Sequence, residues 1–304
     1  MNQFIEKNKK AIYIFIAFLF ILNFFAWQEV FVLSERSESK DLSVSFLNVG
    51  QGDSTFIVTP QNHQILIDGG PDSTVVGKIA KQIPFWDRSI DLAILSHPEK
   101  DHMSGLIEIL KRYKVDYILW SGVKMNSSEY LEWLKVLVAQ KNKRAKIITA
   151  FAGQNIKVGD LKIKILSPSE NLFAQDFSKS ANETSVVAKL NYGKNSFLFV
   201  GDIDSVEEKK LVEKSQLANS HELVNLKSDV LKVAHHGSKY SSSDIFLKEV
   251  NPKFAVIEVG KNSYGHPTQE TLSRLQNIGA KIFRTDQSGD IFFQSNGQNL
   301  FMLK

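Results

Sequence analysis

The ten residues Ser96–Gly105, SHPEKDHMSG, decide how this chain is read. The apolar run before them, DLAILS (Asp91–Ser96), reads as a buried strand. The stretch after them, HMSGLIEILKRY (His102–Tyr113), has apolar residues at helical spacing. His97, Glu99, Asp101 and His102 therefore share one strand-to-helix loop. Such junctions, at the carboxyl ends of strands, are where α/β folds gather their functional groups. Four side chains able to ligate a metal converge there on a small volume. A merely solvated loop would carry acids and lysines, without two histidines at these offsets.

Working outward, four more places show polar groups at strand ends. In FLFVGDID (Phe197–Asp204), Asp202 follows an apolar strand, and one carboxylate can join two cations through its two oxygens. In LKVAHHGSKYSSS (Leu231–Ser243), the strand VLKVAHH ends in His235 and His236. Side chains alternate along a strand, so one of the two is expected inward as a ligand and the other beside it or on substrate. Ser238 and the Gly237 amide follow, placed to hold an anion. In NSYGHPTQETL (Asn262–Leu272), His266 precedes a helix amino terminus, where its imidazole can contact a phosphoryl oxygen or protonate a leaving group. Near the front, NVGQGD and ILIDGG put Asp53 and Asp68 beside glycines. Orienting the metal loop and a purely structural role fit these two aspartates equally. His63 and His221 lie in polar, loop-like sequence and read as surface residues.

Composition narrows the chemistry. With Lys+Arg 37 and Asp+Glu 33, the net charge of +4 excludes a protein held to nucleic acid by bulk charge alone. The basic run KNKRAK (Lys141–Lys146) fits a solvated helix end as well as a contact to a phosphate backbone. Cysteine is absent, which removes disulfides, thiolate zinc sites and a cysteine nucleophile. Any metal must be held by His, Asp, Glu or Asn.

From residue 41 to 304 strands and helices alternate with no break in composition. VSFLNV, STFIV and QILID are short β-type runs separated by turn residues, which predicts antiparallel pairing. Strands recur in two broad sets with helices outside. The expectation is one α/β domain of two sheets packed face to face, with helices on both exteriors. Residues 1–33 differ. Lys7, Lys9 and Lys10 precede a run, Ala11 to Gln28, without charge. About 20 such residues cross a bilayer, and the lysines favour a cytoplasmic amino terminus. The exit FAWQEVFVLSERSES lacks a small-x-small cleavage site, so an anchor is expected over a cleaved signal peptide. Residues 34–40 read as a polar linker, with 41–304 outside the cell.

The order NVGQGD, ILIDGG, SHPEKDHMSG, FVGD, AHHGS and GHP resembles the metallo-β-lactamase superfamily. Within it, the chain looks like the extracellular hydrolase domain of the ComEC-type competence proteins, in stand-alone form. The resemblance covers Leu42–Lys304 and implies a four-layer αβ/βα sandwich. It implies metal ligands at His97, Asp101 and His102, with Glu99 in place of the second histidine of an H-x-H-x-D-H loop. It implies a bridging carboxylate at Asp202 and a late histidine at His235 or His236. Asn182, in ANETSVV, falls where the superfamily has a middle histidine. Asn48 stands where the ComEC-like branch usually has Asp.

Two divalent ions are thereby implied. A carboxylate and an amide in place of imidazoles shift preference from Zn²⁺ toward Mn²⁺ or Mg²⁺, while the remaining histidines still suit Zn²⁺. The implied activity is a membrane-anchored extracellular phosphodiesterase, a nuclease acting on DNA by a two-metal hydroxide mechanism. Asp101 would serve catalysis as well as the metal. His266, Ser238 and Asn182 would position phosphate or assist the leaving group. Two other readings stand beside it: a cell-envelope phosphodiesterase acting on teichoic acid phosphocholine, and a non-catalytic accessory module of DNA uptake.

Overall fold

Alternation along Leu42–Phe46 (β1) sets the inner layer: Leu42, Val44 and Phe46 are buried between two sheets in a computed structural model of the chain. The structure describes residues 14–15, 17–18, 41–217 and 224–303. The anchor expected at 1–33 and the linker at 34–40 lie outside these, save for Ile14, Phe15, Ala17 and Phe18, which are helical. His221 also lies outside them. Among the described residues no helix is long and apolar enough to cross a membrane. Residues 41–304 form a unit separate from 1–40.

After β1 come Thr55–Val58 (β2), Gln64–Ile67 (β3), helix Thr74–Ile79 (α1), Ser89–Ile94 (β4), helix Lys100–Arg112 (α2) and Lys114–Trp120 (β5). Helix Ser128–Asn142 (α3), Lys146–Thr149 (β6), Asn155–Val158 (β7) and Leu161–Ser167 (β8) follow. Then come Val187–Tyr192 (β9), Asn195–Phe199 (β10), helix Ser205–Gln216 (α4), Val230–Lys232 (β11) and helix Asp244–Val250 (α5). Phe254–Ile257 (β12), helix Gln269–Asn277 (α6), Lys281–Arg284 (β13), Ile291–Ser295 (β14) and Leu300–Leu303 (β15) complete the series.

One sheet runs β15-β14-β1-β2-β3-β4-β5-β6 and the other β13-β12-β11-β10-β9-β8-β7. The pairs β1·β2 and β2·β3 are antiparallel, as the short runs predicted. From β3 to β6 and from β10 to β13 the strands run parallel. Ile65 and Ile67 of β3 face the other sheet, whereas Leu66 faces the helices with Leu106 and Trp133. A third apolar layer packs Leu198 and Leu231 against Phe246 and Leu275. Strands buried on both faces carry apolar residues at every position, which is why DLAILS shows no alternation. The result is the four-layer αβ/βα sandwich. Its two parallel segments bring the carboxyl ends of β3, β4, β10, β11 and β12 to one edge.

The run VLKVAHH departs from expectation. The strand ends at Lys232, and Ala234–Gly237 forms a tight turn. His235 and His236 both adopt left-handed backbone, with φ of 50° and 51°. Asp68 does the same at 58°. Conformations so rarely adopted by side-chain-bearing residues persist where surrounding contacts fix them, and they gather at functional sites.

Candidate metal centre

The loop after β4 is clamped before it reaches any ligand. Gly69 N donates to His102 O at 2.8 Å, Gly105 N to Gly70 O at 2.9 Å and Asp53 N to Asp101 O at 3.2 Å. Gly69 and Gly105 approach so closely that a Cβ on either would overlap the backbone opposite. The two aspartate-glycine motifs near the front are therefore the seat of the metal loop.

On that seat, Asp53, His102, Asp202 and His236 each offer an atom within 4.8 Å of the others. They do not play the same part. Asp68 accepts from His102 Nδ1 at 2.9 Å, and Asp53 lies 3.7 Å from the same nitrogen. His236 Nδ1 donates to Glu258 O at 2.7 Å and lies 3.2 Å from Asp53 Oδ1. Asp53 thus meets both imidazoles on their Nδ1 side. Their Nε2 atoms point the other way, to Asp202 Oδ2 at 3.4 Å from His102 and 3.5 Å from His236. Asp101 Oδ2 adds a contact of 3.2 Å to His236 Nε2. His97 packs its ring 4.1 Å from that of His102, and its Nε2 lies 4.0 Å from Glu99 Oε2.

The donor set fits divalent metal. His97 Nε2 and His102 Nε2 are buried with no hydrogen-bond partner, a state that costs free energy unless something occupies those lone pairs. His102, His236, Asp101 and Asp202 would hold an ion, and His97 and Glu99 lie beside them. Histidine, aspartate and glutamate are the usual ligands of such centres. Hydrogen bonds from Nδ1 to Asp68 and to the Glu258 carbonyl fix both imidazoles in the orientation that leaves Nε2 free.

Charge accounts for the rest. Burial would raise the Asp202 carboxyl, but His102, His236 and Lys232 hold it well below the ordinary carboxylate range. Asp53 is lowered likewise, by Lys232 first among its neighbours. Burial and the neighbouring His102 push His97 down to about 3, which keeps it neutral and able to ligate. Asp202 and Asp53 outweigh burial and raise both His102 and His236, the latter to about 10. Burial and Asp53 push Glu258 up to about 8. A pocket this rich in carboxylate calls for cations.

Two participants escaped the sequence reading. Lys232 is buried against Asp53, lies 3.4 Å from Asp202 Oδ1 and donates to Gly201 O at 3.0 Å. Asp202 thus meets an ammonium at Oδ1 and the histidines at Oδ2. Glu258 accepts from Ser54 N at 2.9 Å and ties β12 to the front loop. A lysine inside VLKVA and a glutamate inside FAVIEV were the available signals, since charge inside an apolar strand must be paired.

The remaining candidates are spread. A cleft of about 480 Å³ opens over Asp101, Asp202 and His236, and Glu99, His235 and His266 also line it. His236 is buried, whereas His235 is partly exposed with its Nε2 4.0 Å from Asp202 Oδ2. The geometry thus sets His236 among the clustered side chains and His235 at the rim. Ser238 does not line the cleft: it is buried, its Oγ accepts from Tyr240 N at 3.3 Å, and its carbonyl accepts from Thr271. Asn182 sits in a short 3₁₀ turn with Oδ1 buried and unpartnered, and it too is absent from the cleft wall. Asn48 Oδ1 accepts from Gly50 N at 3.3 Å, shaping the front loop. His63 is half-exposed and bonded to Asp91 at 2.8 Å. It borders a larger groove of about 680 Å³ lined by Ile65, Leu92 and Tyr117, which holds none of the clustered ligands.

Comparison with known proteins agrees. Residues 47–260 match the family model of the metallo-β-lactamase superfamily. The chain is 30% identical over 275 residues to ComE operon protein 3 of Bacillus subtilis (strain 168), covering 84% of this chain and 33% of that protein. It is 29% identical over 260 residues to competence protein ComA of Neisseria gonorrhoeae, covering 85% and 33%. The chain thus spans about a third of the length of these relatives. The crystal structure of the metallo-β-lactamase fold protein YhfI from Bacillus subtilis superposes with a TM-score of 0.52 at 12% identity, over 84% of this chain and 100% of that one, which bears on the fold alone. By its family match, its four-layer fold and its histidine–carboxylate cluster, the chain belongs to the metallo-β-lactamase superfamily, as a metallo-hydrolase related to competence proteins.

Proposed function

We propose that residues 41–304 are a metal-dependent phosphodiesterase that cleaves DNA, held outside the cell membrane by an anchor within residues 1–33. The observation that carries the reading is the meeting of unpartnered His97 and His102 Nε2 atoms with Asp101, Asp202 and His236 at the floor of an open cleft. Similarity to competence proteins directs the substrate class to DNA.

Divalent ions, when bound, would supply an activated water and neutralise charge gathering on the phosphoryl oxygens. The chain's own groups do the rest. Asp68 and the Glu258 carbonyl keep the imidazoles from turning. Lys232 balances Asp53 and Asp202 from below, so these carboxylates stay ionised in a buried site. His266, half-buried at the cleft wall, is held below its ordinary pKa by burial and by His235, so it meets substrate neutral. A neutral imidazole N–H there can donate to a phosphoryl oxygen.

The test is hydrolysis by the purified full-length chain in detergent, loaded with Mn²⁺, Mg²⁺ or Zn²⁺, against DNA and against choline-bearing cell-wall polymers. Release of nucleotides is the expected result. Release of choline without nucleotides would reassign the substrate to the cell envelope. Protease added to intact cells should cut beyond Ser34; protection there would reverse the proposed topology.

A further inference from the structure

Tyr264 lines the cleft and is 73% exposed. It is not loosely held. Asn262 Oδ1 accepts from Tyr264 N and from His266 N, each at 3.1 Å. Asn262 Nδ2 donates to Gly260 O and His266 O, each at 2.9 Å. Gly260 N in turn donates to Gln51 Oε1 at 3.2 Å on the front loop. One asparagine thereby pins the whole turn that carries the ring.

A ring left mostly in water buries little surface, so fixing its turn adds little to folding through the hydrophobic effect. Its neighbours show where it is aimed. The Tyr264 and His266 rings lie 5.8 Å apart and are close to parallel, at 30°. His266 meets His235 edge-on at 5.4 Å, and His235 meets His236 at 6.2 Å. An unbroken series of rings thus leads from a metal-facing imidazole out to an exposed aromatic face. Tyr240, nearly as open at 67%, carries Lys239 Nζ over its ring and does not line the cleft.

We infer that Tyr264, with His266 beside it, is a stacking platform for an unpaired nucleobase next to the phosphate held in the cleft, an inference that rests on the nuclease reading. Every base has a flat π-face, so a platform of this kind tolerates any sequence and asks only that the base be free. Bases in a duplex are stacked on one another. The platform therefore selects single-stranded DNA or a frayed end, and it supplies grip that a chain of net charge +4 cannot draw from bulk charge.

The experiment uses the Mn²⁺-loaded full-length chain, its Tyr264→Ala and Tyr264→Phe variants, and two oligonucleotides of one length, one complete and one abasic. The ring is exposed, so neither substitution disturbs the fold. On the complete single strand, Tyr264→Ala should raise KM on the order of tenfold, with Tyr264→Phe close to wild type. On the abasic strand all three proteins should be equally poor. Cleavage of both strands with equal KM by wild type, or an unchanged KM in Tyr264→Ala, overturns the platform and leaves the nuclease reading standing. Cleavage of neither strand by any of the three overturns the nuclease reading and the platform with it.

Discussion

The Nδ1 proton of His102 goes to Asp68, 2.9 Å away, and both side chains are fully enclosed. Asp68 also accepts from Ser96 N at 2.7 Å and Ser96 Oγ at 2.6 Å, so it joins the end of β3 to the end of β4. Replacing it removes the group that holds His102 in its working tautomer. Asp68→Asn should weaken metal binding by roughly 10- to 100-fold. Competition with a chelating dye measures this, and unchanged affinity would show that the bond is merely structural.

Lys232→Met removes the buried ammonium that lies against both Asp53 and Asp202. Removing one partner of a buried ion pair costs about 3–5 kcal/mol. The metal-free variant should lose stability of that order in urea denaturation, and Mn²⁺ should recover part of it by supplying positive charge beside Asp202. A variant as stable as wild type would mean that His102 and His236 alone suffice to balance the two aspartates.

Burial lowers His236, but Asp202, Asp53 and the bond to Asp101 lift it from an ordinary 6.5 to about 10. The folded value exceeds the unfolded one. This pairing therefore stabilises the metal-free fold fully below pH 6.5 and is lost as the pH rises through 10. The same proton must leave before Nε2 can accept an ion. Metal affinity should climb with pH, by about tenfold per unit for one proton released. Chelator competition between about pH 6 and 8 reads the slope, and a flat profile would contradict it.

Glu99 lies where an imidazole would favour Zn²⁺, and its oxygen faces His97 Nε2 at 4.0 Å. Chelated protein should regain hydrolysis better with Mn²⁺ than with Zn²⁺, and Glu99→His should narrow or invert that order. Zn²⁺ preferred by the parent chain would refute the argument from ligand hardness.

Much of this was legible in the chain. DLAILS followed by SHPEKDHMSG announced the strand, the loop and the helix, because apolar periodicity and ligand spacing coincide there. Asp202 and His97 stood out because each follows an apolar run, and His102 because it falls five residues after His97 where the helical spacing begins. The pair His235 and His236 was readable as a site, but which histidine turns inward was not. The left-handed turn that decides it depends on contacts with Glu258 and Pro267, remote in sequence. Ser238 looked like an anion holder because it follows the histidines. Its hydroxyl is instead engaged by the Tyr240 backbone. Lys232 and Glu258 went unread because pairing across the sandwich is a tertiary fact.

His97 lies in the loop after β4, and Asp101 and His102 in the first turn of α2 on the first sheet's side, whereas Asp202 and His236 follow strands of the second. Neither half of the chain owns a complete coordination set. An ion held by all of these side chains would settle only after both halves had closed on each other, which would make reactivity conditional on correct assembly. An ion held from both sides would stay bound only while the two sheets remain packed, so damage that parted them would silence such a centre instead of leaving it indiscriminate.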